Sequence, residues 1–184
     1  MWGMESTRAI VVRMTRLGDS SWIVHWFGEA SGLVKTVAKG ARRPGSVFAG
    51  KLDLFYGGEI VIGRARRGEL HGLREVVIGE WREGLRGAYS STLLAAYCCQ
   101  LLEMAVEPEH AEAGMYDLLR RALDHVDVAG ASLRAMWHYE RELARLLGVW
   151  HRELGAEVVL RQALGGLPAN RQLLVEQLGN GGEG

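Results

Sequence analysis

Short runs rich in Val, Ile, Trp and Phe, broken by Gly and Ser, fill the first 80 residues: Arg8 to Met14, Ser21 to Phe27, Leu33 to Lys39, Leu52 to Ile62 and Leu70 to Ile78. Branched and aromatic side chains in runs of this length predict strands, because they pack well on a pleated surface. Between them Gly18-Asp19-Ser20, Glu29-Ala30-Ser31-Gly32 and Arg66-Arg67-Gly68-Glu69 supply residues that tolerate tight reversals. Five such strands predict a small closed barrel. Beyond residue 83 the apolar period lengthens to that of a helix. Met115, Leu118, Leu119, Ala122, Leu123 and Val126 form one stripe, and Leu133, Met136, Trp137, Leu143, Leu146 and Leu147 a second with Ser132 as its N-cap. Thr92 to Val106 is apolar nearly all round, the pattern of a central helix, and Pro108 and Pro168 stand where helices can begin. The expectation is an α+β chain with a barrel over 1–80 and an all-helical domain over 81–178. Residues 179–184, with no apolar side chain to bury, are expected to be a disordered tail.

Composition removes several classes of function. Of 184 residues 48% are apolar, enough for a real core, yet no apolar run approaches the roughly 20 residues of a membrane span. The first residues carry Glu5, Arg8 and Arg13 and do not resemble a signal peptide, so a soluble cytoplasmic protein is expected. The two cysteines, Cys98 and Cys99, are adjacent in an apolar run, where they read as core residues. Six scattered histidines make no ligand pair at metal spacing. Phosphate-cradling and nucleophile-elbow motifs are missing, and Glu140 with Glu142 has no companion base. No enzyme, metal or cofactor is expected.

Charge then gives direction to the barrel. The chain is neutral overall, but residues 33–67 hold Lys35, Lys39, Arg42, Arg43, Lys51, Arg64, Arg66 and Arg67 against only Asp53 and Glu59. A local excess of six positive charges in a neutral protein suits a polyanion lying on one face. All three lysines of the chain are in this segment, and lysine is a mobile point charge suited to phosphates of any sequence. Lys35 and Lys39 share a strand face and bracket Val37, while Arg42 and Arg43 continue the charge into a loop turned by Pro44 and Gly45. Arg64, Arg66 and Arg67 either extend this track or keep a hairpin end soluble. Single-strand binding also needs flat side chains for base stacking. Trp22, Val24 and Trp26 share one face of the second strand and Ile23, His25 and Phe27 the other, and alternation does not say which is wet. Core packing is the commoner role for each of these aromatics; if one is exposed to DNA, Trp26 is favoured on size, ahead of Phe48 and Tyr56.

The runs Arg8-Ala-Ile-Val-Val-Arg13, Gly18-Asp-Ser-Ser-Trp-Ile-Val24 and Gly32-Leu-Val-Lys-Thr-Val-Ala-Lys-Gly-Ala-Arg-Arg-Pro44 resemble the start of the RecO family of bacterial recombination mediator proteins. Ala49-Gly-Lys-Leu-Asp-Leu-Phe55 follows at the family's spacing. Ala88-Tyr-Ser-Ser-Thr-Leu-Leu94, Tyr116-Asp-Leu-Leu-Arg-Arg-Ala-Leu123 and Tyr139-Glu-Arg-Glu-Leu-Ala-Arg-Leu-Leu-Gly148 extend the resemblance to about residue 150. It implies an oligonucleotide-binding (OB) barrel joined to a helical domain, binding of single- and double-stranded DNA, annealing of complementary strands, and help in loading RecA with RecR as partner, in the nucleoid of a bacterium. Many members carry a four-cysteine zinc site after this point, whereas Val149 to Glu176 contains no cysteine, so zinc is not expected. The acidic, apolar-tipped C-terminal tail of single-strand-binding protein suits a hydrophobic groove edged by arginine, for which Arg120 and Arg121 beside Leu118 and Leu119 are the candidates; the alternative is that both are ordinary exposed residues of an amphipathic helix. The competing reading is an assembly scaffold whose barrel does not touch DNA.

Overall fold

The computed structural model describes residues 3–112 and 114–180. Five strands come first: β1 (Met4–Leu17), β2 (Ser21–Gly28), β3 (Gly32–Ala38), β4 (Gly57–Gly63) and β5 (Leu70–Glu80). They close into a barrel in the order β1-β2-β3-β5-β4, with every pair antiparallel except β3 with β5. Period-two alternation turns Val11, Val24, Trp26, Val34, Ile60 and Ile62 into the barrel interior, where they are buried. Each contributes roughly 1.5–3 kcal/mol by leaving water. The loop between β3 and β4 adds Phe48 to the same core, so its ring packs inside and is not a surface platform.

The fourth strand is shorter than its sequence pattern predicts. Leu52 to Tyr56 does not extend as a strand, because the Asp53 side chain accepts the Leu54 N–H at 2.8 Å and Phe55 adopts a left-handed backbone at φ 70°. The turn lies beside a bulge in β1: Val11 N–H donates to the Tyr56 carbonyl and Phe55 N–H to the Val11 carbonyl, both at 2.9 Å. Leu52, Leu54 and Tyr56 still pack against the core, which is why their alternation imitates a strand.

The described residues divide into two compact units, one running to Trp81 and taking in Val106–Glu112, the other holding Arg82–Ala105 and the residues from 114 onward. Val106–Glu112 falls in the half of the chain that reads as helical, yet it belongs to the barrel unit. Pro108 starts no helix there and instead forms a parallel bridge with Leu33, and the Glu109 N–H donates to the Leu33 carbonyl at 2.9 Å.

The second unit begins with a 3₁₀ turn, Glu83–Arg86, followed by α1 (Tyr89–Ala105), α2 (Met115–Ala129), α3 (Leu133–Leu146), α4 (Ala156–Leu164) and α5 (Arg171–Asn180). The Met115, Leu118, Leu119, Leu123 and Val126 stripe is buried, and the Ser132 hydroxyl accepts the Ala135 N–H at 3.1 Å as the N-cap of α3. Trp137 and Leu146 depart from their stripe and are exposed. Pro168 precedes α5 by three residues, and α5 continues through Gly179 and Asn180, which were expected in the tail; residues 181–184 lie outside the described residues. Inside the unit Glu140 is 1% exposed and accepts from the Tyr97 hydroxyl and, bidentately, from Arg171, which also pairs with Glu157. These four side chains tie α1, α3, α4 and α5 together. No helix among the described residues is long and apolar enough to cross a membrane.

Candidate functional site

One end of the barrel gathers Lys39, Arg42 and Arg43 of the basic segment. After β3 the chain runs through successive turns, pinned to the β1–β2 hairpin by Arg42 N–H to the Ser20 carbonyl at 2.9 Å and Gly40 N–H to the Ser21 hydroxyl at 3.1 Å. These bonds set Lys39, Gly40 and Arg43 beside Leu17, Ser20, Ser21 and Val37 around a shallow depression. Trp22 stands at the same rim, half-buried, with the Arg42 guanidinium 5.5 Å and that of Arg16 6.0 Å from its ring centroid. Cation–π attraction of about 0.5–1 kcal/mol per exposed pair helps hold both arginines there. Among the described residues, Lys39, Arg42, Arg43, Lys51 and Arg67 make no ion pair with a carboxylate.

Strand register arranges the outer face of β1, β2 and β3 in cross-strand rows. Ile10, Phe27 and Leu33 form a buried row. Next come Arg13, His25 and Lys35, directly paired across the three strands, and then Thr15, Ile23 and Val37. His25 lies between the buried row and the open one. Burial first, then the positive charges of Arg13 and Lys35, lower its pKa below the ordinary histidine value. The outer face of strands 2 and 3, flanked by the loop after β1 and the loop after β4, is where OB barrels receive oligonucleotides.

The structure separates the predicted basic residues into different environments. Lys35 is on the face but pairs with Glu69 at 3.2 Å. Arg64 does not extend the track: its guanidinium is held by Glu5 at 2.7 Å and Glu109 at 2.8 Å and lies 2.9 Å from His71 Nε2. That cluster anchors Val106–Glu112 to the barrel, and two carboxylates offset the Arg64 charge. Arg66 and Arg67 are exposed in the β4–β5 loop. Trp26 is a correction to the sequence expectation, because it is fully buried and its indole N–H donates to the Thr36 hydroxyl at 2.9 Å, leaving no face for a base. The aromatic at the cationic rim is Trp22. Arg13, Arg16, Trp22 and His25 are the residues sequence reasoning missed. For His25 the signal was the alternation of the second strand, readable only once the register shows which face is inside. Arg13 and Arg16 are brought to His25 and Trp22 by the pairing of β1 with β2, and Trp22 shares the inward face of Val24 and Trp26 but lies near the strand end, at the rim.

The helical unit has a separate feature, a cavity of about 600 Å³ bounded by α1, α2 and α3. Leu94, Leu118, Val126 and Trp137 supply apolar surface, and Arg121, His125, Arg134, His138 and Arg141 are also in its lining. Arg121 is therefore at the groove, although its Nε is 2.7 Å from Asp117. Arg120 is not in the lining: it is tied to Asp117 at 2.7 Å and Asp124 at 3.0 Å, so the two neighbouring arginines part company.

A closed five-strand barrel of this strand order, followed by a helical unit, defines an OB-barrel protein with a C-terminal helical domain. Residues 3–80 match the family described as Recombination protein O N terminal, and residues 86–150 match Recombination protein O C terminal. The chain belongs to the RecO family. It is similar to proteins named DNA repair protein RecO from Salinibacter ruber, 29% identical over 144 residues, and from Syntrophotalea carbinolica, 32% identical over 143 residues. Each alignment covers 78% of this chain and 55% of the relative, so the chain spans about half the length of the curated relatives it matches.

Proposed function

We propose that this protein acts in DNA repair and recombination by binding DNA on the outer face and rim of its barrel, with no covalent chemistry of its own. The observation that carries this reading is the group Lys39, Arg42 and Arg43, without a carboxylate partner among the described residues, beside Trp22 at the barrel rim that adjoins the outer face of β2 and β3. Single strands bind there through phosphates and stacking, and double strands through phosphates alone. Annealing follows if one cationic surface screens two complementary strands at once. The family further supports RecR as partner and assistance to RecA on single strands coated by single-strand-binding protein. The groove of the helical unit, apolar with Arg121, Arg134 and Arg141 in its lining, has the chemistry for that protein's acidic C-terminal tail.

The test is binding of a labelled single-stranded oligonucleotide over a salt series, for the native chain and for Lys39→Glu, Arg42→Glu and Arg43→Glu combined. Neutralising about three phosphates gives a slope of log affinity against log salt near −2, at roughly 0.7 per contact. Loss of binding in the folded triple variant supports the barrel as the DNA site. Binding that is independent of salt, or unaffected by the triple change, overturns it.

A further inference from the structure

Arg13, His25 and Lys35 are direct cross-strand partners in β1, β2 and β3. Neighbouring strands lie about 4.8 Å apart, so the row presents three nitrogen-bearing side chains across roughly 10 Å of one face. Like charges directly opposite one another on a sheet repel. A third full charge in the middle of the row is therefore disfavoured while the face is empty, and a histidine is the one ordinary side chain that can withhold it near neutral pH.

We propose that this row is a proton-linked phosphate site: a nucleic-acid phosphate lies across β1, β2 and β3, and His25 takes a proton from solvent as it binds. The proposal rests on the DNA-binding reading above and adds residues and a regulation that the basic-loop argument does not contain. The only bond change is a proton transfer: a hydronium ion of the solvent gives its proton to the imidazole nitrogen and leaves as water.

Three observations carry it. The register places His25 between the two cations, so an anion contacting all three side chains offsets the repulsion between them. Lys35 already holds an anionic oxygen, the Glu69 carboxylate at 3.2 Å, and Glu69 is an exposed residue of the β4–β5 loop that a phosphate can replace. The adjoining row of Ile10, Phe27 and Leu33 is buried, which keeps the imidazole partly out of water, and its pKa is lowered accordingly. The charged groups facing His25 include Arg13 from β1 and Lys35 from β3, with Glu69 reaching the row through Lys35.

The experiment measures affinity for a fluorescent oligothymidylate between about pH 5.5 and about pH 8 at fixed ionic strength, for the native chain and His25→Asn. Thymine and the phosphodiester do not titrate in this range, so any slope belongs to the protein. The native chain is expected to bind more tightly as pH falls, by up to about tenfold per pH unit, the limit for uptake of one proton. His25→Asn is expected to lose that slope. In parallel, the His25 imidazole resonance of the native chain should titrate at higher pH with the oligonucleotide bound than without it. Equal slopes in both proteins, or an imidazole titration that the oligonucleotide does not move, overturns the proposal. Native binding that is pH-independent overturns it and leaves DNA binding standing, whereas no binding at any pH removes the DNA reading as well.

Discussion

The indole Nε1 of Trp26 donates to the hydroxyl of Thr36 at 2.9 Å inside the barrel, joining β2 to β3 in a region without solvent access. Thr36 in turn lies 3.4 Å from the Val24 carbonyl. Thr36→Val keeps the shape but leaves a buried indole N–H without its acceptor, and the expected cost is about 1–3 kcal/mol. Urea unfolding at neutral pH measures it. Oligonucleotide affinity of the folded variant should not change, since the pair is interior; a variant as stable as the native chain shows that the indole has found another partner.

The Glu140 carboxylate is almost inaccessible and depends on Arg171, whose Nε and Nη2 lie 2.8 and 3.2 Å from its two oxygens. Arg171→Met removes the countercharge and strands a buried anion, and we expect a loss of about 3–5 kcal/mol. Adding Glu140→Gln should restore much of that loss, because an uncharged amide costs less to bury. Equal stability of the single and double variants in chemical denaturation argues against a stranded charge as the cause.

Gly32 sits at φ 65°, and a Cβ added there would clash with the His110 carbonyl oxygen. Gly32→Ala therefore combines a left-handed backbone penalty of about 1–3 kcal/mol with a clash against Val106–Glu112. Hydrogen exchange is the appropriate readout: the Glu109 amide, bonded to the Leu33 carbonyl, should lose protection before the β1–β2 amides do. Unaltered protection at Glu109 contradicts the proposed packing role of this glycine.

The lowered pKa of His25 also predicts how the free protein responds to acid. The unfolded chain protonates His25 near its ordinary value of 6.5, while the folded barrel does so only at lower pH. Between these points the unfolded state binds more protons, so stability falls as pH decreases, and the loss levels off once the folded imidazole is also charged. Denaturation midpoints across this window should decline less in His25→Asn than in the native chain. Identical declines would assign the acid sensitivity to other groups.

The barrel was readable because branched residues alternate along β2 and β3 and Gly-rich turns separate the runs. The helices were readable because Met115, Leu119, Leu123 and Val126 recur at helical spacing. Leu52 to Tyr56 misled for a physical reason: an irregular segment whose alternate side chains pack on a core shows the same alternation as a strand. Pro108 misled because proline suits the start of a helix and an isolated bridge equally well.

The local order of apolar and polar residues was enough to establish strands followed by helices, and the crowding of lysines and arginines between residues 33 and 67 was enough to locate the positive field. Both are properties of neighbours along the chain. Tertiary structure alone chose which charges remain uncompensated: Glu5 and Glu109 reach Arg64 from distant positions, Glu69 reaches Lys35, and Lys39, Arg42 and Arg43 meet no such carboxylate among the described residues. It also sent Trp26 inwards, put Trp22 at the rim and aligned Arg13, His25 and Lys35. Alternation defines two strand faces without saying which is inside; barrel closure and register make that choice, because a shift of one residue exchanges core and solvent.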